Sequence, residues 1–227
     1  MELKDRIIHS AFELFSTKGY EKTTIEAIIN KAQCAKGGFY HHFKSKEDIL
    51  EIITTNYIDE ITKEFEGILL SDESFYNKFN AIFMVISRYK SKQLKEWSKV
   101  NNVFSFVGNE KILRQLEKQF KLATTRAYFE IINEGSEHEI ISVEYPEILA
   151  ELCTREVLWI YEVAGRLINT NNYKDDHMFE NLLDFTEGLM GHSLGLKTNE
   201  VKYKQVALLY LKNIREYFLE NRRGSDD

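Results

Sequence analysis

Residues 23–50 read TTIEAIINKAQCAKGGFYHHFKSKEDIL, and the fold turns on how this stretch divides. Thr23 and Glu26 have capping-box spacing, so a helix starts there, with Ile25, Ile28, Ile29 and Ala32 as its apolar stripe. It stops early, because Gln33-Cys34-Ala35 follows and a new pattern opens at Lys36. Phe39 and Phe43, four apart, give the next segment one anchoring face. Ser45 then caps a further helix whose first turn holds Glu47 and Asp48, at the positive end of the dipole. Ile49, Ile52, Ile53, Ile58, Ile61 and Phe65 carry it to about Gly67. Two short helices joined by a tight turn, the second basic and aromatic, form a helix-turn-helix by pattern.

A helix that enters the major groove needs small or polar residues toward the DNA and bulky anchors behind. Lys36-Gly37-Gly38-Phe39-Tyr40-His41-His42-Phe43 meets that requirement. Two glycines cost a helix about 1 kcal/mol each relative to alanine, and close approach of a phosphate or base is a compensating reason. Spacing alone leaves a loop at this point as the alternative.

Working outward, Leu3, Ile7, Ala11, Leu14 and Phe15 mark a first helix that ends at Lys18-Gly19. Beyond residue 70 the periodicity predicts helices near 75–92, 93–106, 110–134, 146–169, 177–194 and 199–221. Pro146, the single proline, suits a first helical turn. No long alternating run argues for a sheet. The expected fold is all-α: a three-helix helix-turn-helix domain over 1–62, followed by a helical domain over 63–227.

Charge supports the division. The chain of 227 residues carries a net charge of −6, yet residues 1–55 hold eight basic and eight acidic groups. Between Lys31 and Lys46 stand four lysines, two histidines and no acid. A local basic patch on an acidic protein suits a specific phosphate-facing surface; on charge alone, a solvated helix face is an equal alternative. No apolar run approaches the roughly 20 residues that span a bilayer, and the charged N-terminus does not read as a signal peptide. Cys34 and Cys153 are expected as reduced thiols in different domains of a cytoplasmic protein. Glu137-His138-Glu139 lacks partners at metal-ligand spacing and reads as a solvated loop. With no nucleophile motif and no phosphate-cradling loop, the expectation is no enzyme, no metal and no cofactor.

From about Arg6 to Leu50 the sequence resembles the TetR family of regulators. The resemblance rests on Phe15-x-x-Lys18-Gly19-Tyr20, Thr23-Thr24-Ile25, Lys36-Gly37-x-x-Tyr40-x-His42-Phe43 and Lys44-Ser45-Lys46-Glu47-x-Ile49-Leu50. It implies an all-helical homodimer that binds near-palindromic double-stranded DNA through its first three helices and a small-molecule effector through the rest. Lys36, Gly37, Gly38, His41 and His42 would face the groove or its walls. Tyr40 and Lys46 would grip phosphates, with Thr24 a third contact. The turn departs from the family's usual glycine, apolar residue, and serine or threonine. Gln33 would have to be left-handed, at about 1 kcal/mol. Cys34 becomes a small buried hydrophobe, and Ala35 gives up a cap worth about 1 kcal/mol.

The aromatic residues beyond position 70 read first as core. The resemblance implies that some line an apolar cavity, for which Phe83, Trp97, Phe104, Phe120, Arg126 and Trp159 are the candidates. It also implies a four-helix dimer interface built by the 146–169 and 177–194 helices, with Leu152, Ile160, Val163, Leu182, Leu183 and Leu189 as candidates. The alternative is that these helices only close the monomer. The expected function is a ligand-responsive repressor released from its operator by a small apolar or amphipathic molecule. The other readings are a helical ligand-binding or interaction protein without specific DNA binding, and an all-helical enzyme, which no motif favours.

Overall fold

The computed structural model describes residues 2–98, 110–168, 173–196 and 200–223. Among these residues there are nine helices and no strand. They are α1 Leu3–Lys18, α2 Ile25–Lys31, α3 Lys36–His42, α4 Lys46–Leu69, α5 Phe75–Ser98, α6 Glu110–Glu137, α7 Pro146–Leu167, α8 Tyr173–Ser193 and α9 Lys204–Arg223. The expected break at Gln93 does not occur. Ser91, Lys92 and Gln93 are polar but helix-compatible, and α5 runs through them. The start of α8 lies four residues before His177, which places Asp175 and Asp176 in its first turn, where the helix dipole favours them. The last helix begins at Lys204, five residues later than its periodicity suggested.

The N-terminal boundaries are set by local chemistry. Gly19 ends α1 at φ 84, its N–H donating to the Phe15 carbonyl. The cap of α2 is Thr24, not Thr23: Thr24 Oγ1 accepts from the Ala27 N–H at 3.1 Å. The buried Thr23 hydroxyl donates instead to the Gly19 carbonyl at 2.8 Å. Glu26 is therefore one position out of register for a reciprocal box. A Ser–Asp pair of that spacing caps α4 instead, where Ser45 Oγ accepts from the Asp48 N–H at 3.1 Å.

The chain forms two compact units. The first comprises Met1–Glu60 with Glu96–Lys121, the second Ile61–Lys95 with Leu122–Asp227. The opening of α6 groups with the first unit, and its Ile112, Leu113, Leu116 and Phe120 are all buried. In the second unit α7, α8 and α9 pack on one another around an aromatic core. Phe83 stacks on Tyr203 at 4.3 Å and on Tyr161 at 5.6 Å. The hydroxyls of Tyr128 and Tyr203 stand 3.4 Å apart. Among the described residues no helix is long and apolar enough to cross a membrane.

Candidate nucleic-acid interface

In the first unit α1 is the base on which the helix-turn-helix rests. Ile7, Ala11 and Phe15 are fully buried, as are Ile28 of α2 and Phe39 of α3, and Phe43 follows at 1% exposure. The two phenylalanines pin one side of α3, leaving Lys36, Gly37, Tyr40, His41 and His42 exposed. Lys36, Gly37, Tyr40 and His41 recur at three- and four-residue intervals of α3 and so form one outward face. Tyr40 lies edge-on against Phe39, ring centroids 5.3 Å apart, which aims its hydroxyl outward from a fixed base.

The two glycines differ. A methyl group at Gly37 would meet nothing within 4 Å, whereas at Gly38 it would stand 3.2 Å from Leu3 Cδ2. Close helix packing therefore accounts for Gly38. Nothing in the free protein accounts for Gly37, the glycine on the exposed face. The turn closes despite its departures. Gln33 is left-handed at φ 48, and its N–H reaches the Asn30 carbonyl at 3.2 Å while that of Cys34 reaches the Ile29 carbonyl at 3.2 Å. Ala35 offers no side-chain cap to α3.

Of the four lysines in the basic stretch, two are engaged within the protein. Lys31 pairs with Glu13 at 3.0 Å. Lys46, expected on a phosphate, turns inward: its ammonium donates to the carbonyls of Tyr20 at 2.7 Å and Thr23 at 3.0 Å. It also sits 4.2 Å from the centroid of the Tyr20 ring. Burial holds its pKa below the usual lysine value. At most one of its N–H groups is left for DNA. Thr24 is likewise committed to capping α2. The outward positive charge of the lysines in this stretch thus belongs to the exposed Lys36 and Lys44, with the hydrogen-bonding tips of Tyr40 and the histidines between them. Such a surface can hold backbone phosphates and present hydrogen-bonding tips to base edges.

Of the residues expected to line an effector pocket, Phe83, Arg126 and Trp159 of the second unit take different places. Phe83 is sealed in the aromatic core, and Phe120 is buried in the first unit. Arg126, with its side chain 81% exposed, lies on a cleft of about 550 Å³ with Thr62, Phe65, Leu69, Glu130 and Glu137. Trp159 lines a different groove, of about 610 Å³, on α7 and α8. The Trp97 side chain and Phe104 lie outside the described residues. The interface candidates divide too. Ile160 and Leu183 are fully buried in the monomer. Leu152, Leu182 and Leu189 are partly exposed, and Val163 and Leu182 line the groove beside Trp159. Periodicity missed the exposed apolar residues of that face, Met178 at 59% and Phe185 at 64%. Phe185 lies three residues after Leu182, a spacing that would have found it. Nor did the sequence single out Lys111, whose meeting with Glu47 depends on a contact across 64 residues.

The model of the family described as bacterial regulatory proteins, tetR family, matches residues 7–53. The chain is similar to the HTH-type transcriptional regulator QacR of Staphylococcus aureus, 28% identical over 179 residues that cover 74% of this chain and 84% of QacR. It is also similar to IcaR of Staphylococcus epidermidis, a negative transcriptional regulator of the biofilm operon icaADBC. That match is 33% identical over 91 residues, covering 38% of this chain and 49% of IcaR. Among solved structures, a putative TetR-family transcriptional regulator from Syntrophomonas wolfei shares the fold with a TM-score of 0.55. It is 22% identical, and the match covers 83% of this chain and 94% of that one.

Proposed function

We propose that the chain, whose residues 7–53 match the model of the tetR family of bacterial regulatory proteins, is a one-component repressor whose α3 reads an operator and whose second unit binds a small amphipathic effector. The observation that carries the first half is the exposed face of α3. Lys36, Gly37, Tyr40 and His41 stand outward from a helix that Phe39 and Phe43 hold by its other side. The open space at Gly37 is what close approach of a duplex requires. A two-fold dimer presents two such helices, so the operator is a near-palindrome with half-sites on one face of the duplex. The α7–α8 groove, with Trp159, Val163, Leu182, Met178 and Phe185, is the surface we assign to the partner copy.

For the effector we favour the cleft beside Arg126. Its floor is apolar, from Phe65, Leu69, Ala123 and Ala127, and its rim carries Glu66, Glu130 and Glu137, which suits an amphipathic molecule. Its walls, α4 and α6, are helices that begin in the first unit. An effector that binds the DNA-incompetent state more tightly shifts the population away from the operator. A coupling of about 1–3 kcal/mol weakens operator binding about 5- to 150-fold. Selection of duplexes from a randomised pool tests the DNA half, and an enriched near-palindrome is the expected result. Titrating that duplex in the presence of amphipathic compounds tests the other half. Binders that leave its affinity unchanged would reject induction.

A further inference from the structure

Two side chains from distant parts of the chain converge on one oxygen of Glu47. The Tyr20 hydroxyl donates to Glu47 Oε1 at 3.0 Å, and the Lys111 ammonium donates to the same atom at 2.6 Å. Lys111 also stands 5.2 Å from the centroid of the Tyr20 ring, against which Lys46 sits as well. The cluster joins three places: the loop between α1 and α2, the first turn of α4 and the first turn of α6. None of its members lies on α3.

The loop is the part that matters for recognition. Its Tyr20 and Thr23 carbonyls are held by Lys46, and its last residue, Thr24, caps α2. Helix α2 reaches α3 through the tight turn at Gln33. Whatever fixes this loop therefore fixes where the helix-turn-helix begins. Two neighbouring ammonium groups repel each other, and the Glu47 carboxylate between them offsets that repulsion. The Lys111 side chain is 42% exposed and that of Glu47 53%. An ion pair so exposed adds little to stability; what it fixes is geometry.

We propose that Lys111 is a positioning residue for DNA recognition: by holding Glu47 against Tyr20 it lets α6 set the start of the helix-turn-helix without touching DNA. The inference rests on α3 being the DNA-reading element. Arg126 and Glu130 of the cleft lie on the same helix, about four and five turns further on.

The test uses the full-length protein and the variants Lys111→Met, Lys111→Arg, Glu47→Gln and the Lys111→Met/Glu47→Gln double. The probes are the duplex that the wild type enriches from a randomised pool and a scrambled duplex of equal length. Lys111→Met should lose about tenfold in affinity for the enriched duplex, a size typical of groups coupled in one network. It should keep its affinity for the scrambled duplex and its salt dependence. Amide exchange at Ala27 and Ile28, the first bonded amides of α2, should quicken. Lys111→Arg should restore both, and the double variant should lose no more than either single one. Equal losses on both duplexes with a salt slope lower by about one would make Lys111 a phosphate contact and overturn the proposal. Additive losses, or unchanged exchange and affinity, would overturn it too. If the wild type enriches no sequence, the DNA-binding reading fails, and exchange at Ala27 and Ile28 still decides whether Lys111 holds the loop.

Discussion

Gly37 and Gly38 are neighbours in one helix, yet a methyl group on the first meets open space and on the second meets Leu3 Cδ2 at 3.2 Å. Glycine costs a helix interior about 0.5–1 kcal/mol relative to alanine. The free protein recovers that cost through packing only at Gly38. Gly37→Ala should therefore raise the melting temperature, by about 2–4 °C per kcal/mol gained, and weaken binding to the enriched duplex. Gly38→Ala should give no such gain, since Leu3 must shift. Calorimetry paired with a binding titration checks both. A Gly37→Ala protein that binds as tightly as the wild type would remove DNA as the reason for that glycine.

Lys46 spends two of its three N–H groups on the Tyr20 and Thr23 carbonyls. Replacing it with alanine leaves two carbonyls to water and frees the loop before α2. The expected outcome is a lower melting temperature and weaker specific binding, with the salt slope unchanged. A slope reduced by about one unit would return Lys46 to the role of phosphate contact that the family pattern implies.

Leu183 and Phe185 separate the monomer core from the proposed dimer face. Leu183 is fully buried and Phe185 is 64% exposed. Aspartate at 183 buries an unpaired charge, which costs several kcal/mol and should prevent folding. Aspartate at 185 should leave the helices intact and yield monomers in sedimentation. A folded Phe185→Asp protein that stays dimeric would move the interface away from the α7–α8 groove.

Burial raises the pKa of Tyr128, Tyr161, Tyr203 and Tyr210 above the ordinary phenol value. These groups are neutral in the folded state and ionise more readily once unfolded. Their contribution to stability is complete below pH of about 10, the ordinary tyrosine pKa, and is lost as pH climbs through the raised folded values. In alkaline titration the phenolate absorbance of this set should appear in step with loss of helical circular dichroism. Ionisation of the whole set with the helices intact would contradict the burial of the core.

The sequence made the helix-turn-helix legible because its signals are local. The early stop at Gln33, the Phe39–Phe43 pair and the Ser45 cap each act within a few residues, while the left-handed Gln33 is expected only from the glycine that the family resemblance puts at that position. What required the structure was longer-range. Thr23 has the capping spacing to Glu26, and only the structure shows that it bonds backward to the Gly19 carbonyl and leaves the cap to Thr24. Helical periodicity marks Leu182 and Leu183 as equally apolar, but which of them faces the core depends on where α7 lies. Lys46 looks like any basic residue beside a DNA-binding motif until Tyr20 is seen beneath it. The aromatic residues past position 70 were identified as interior, yet composition does not distinguish a filled core around Phe83 and Tyr203 from a cavity.

The central claim is that the exposed face of α3 binds DNA sequence-specifically. Its most direct test is a competition titration in which wild-type protein is held on the duplex it enriches, and unlabelled enriched or scrambled duplex is added at physiological salt. Specific binding typically exceeds non-specific binding by at least about 10³-fold, so the scrambled duplex should compete only at a correspondingly higher concentration. Tyr40→Ala, which removes an outward hydroxyl without touching the core, should weaken the complex while leaving the fold unchanged. Equal competition by both duplexes, or a Tyr40→Ala protein with wild-type affinity, would contradict the account.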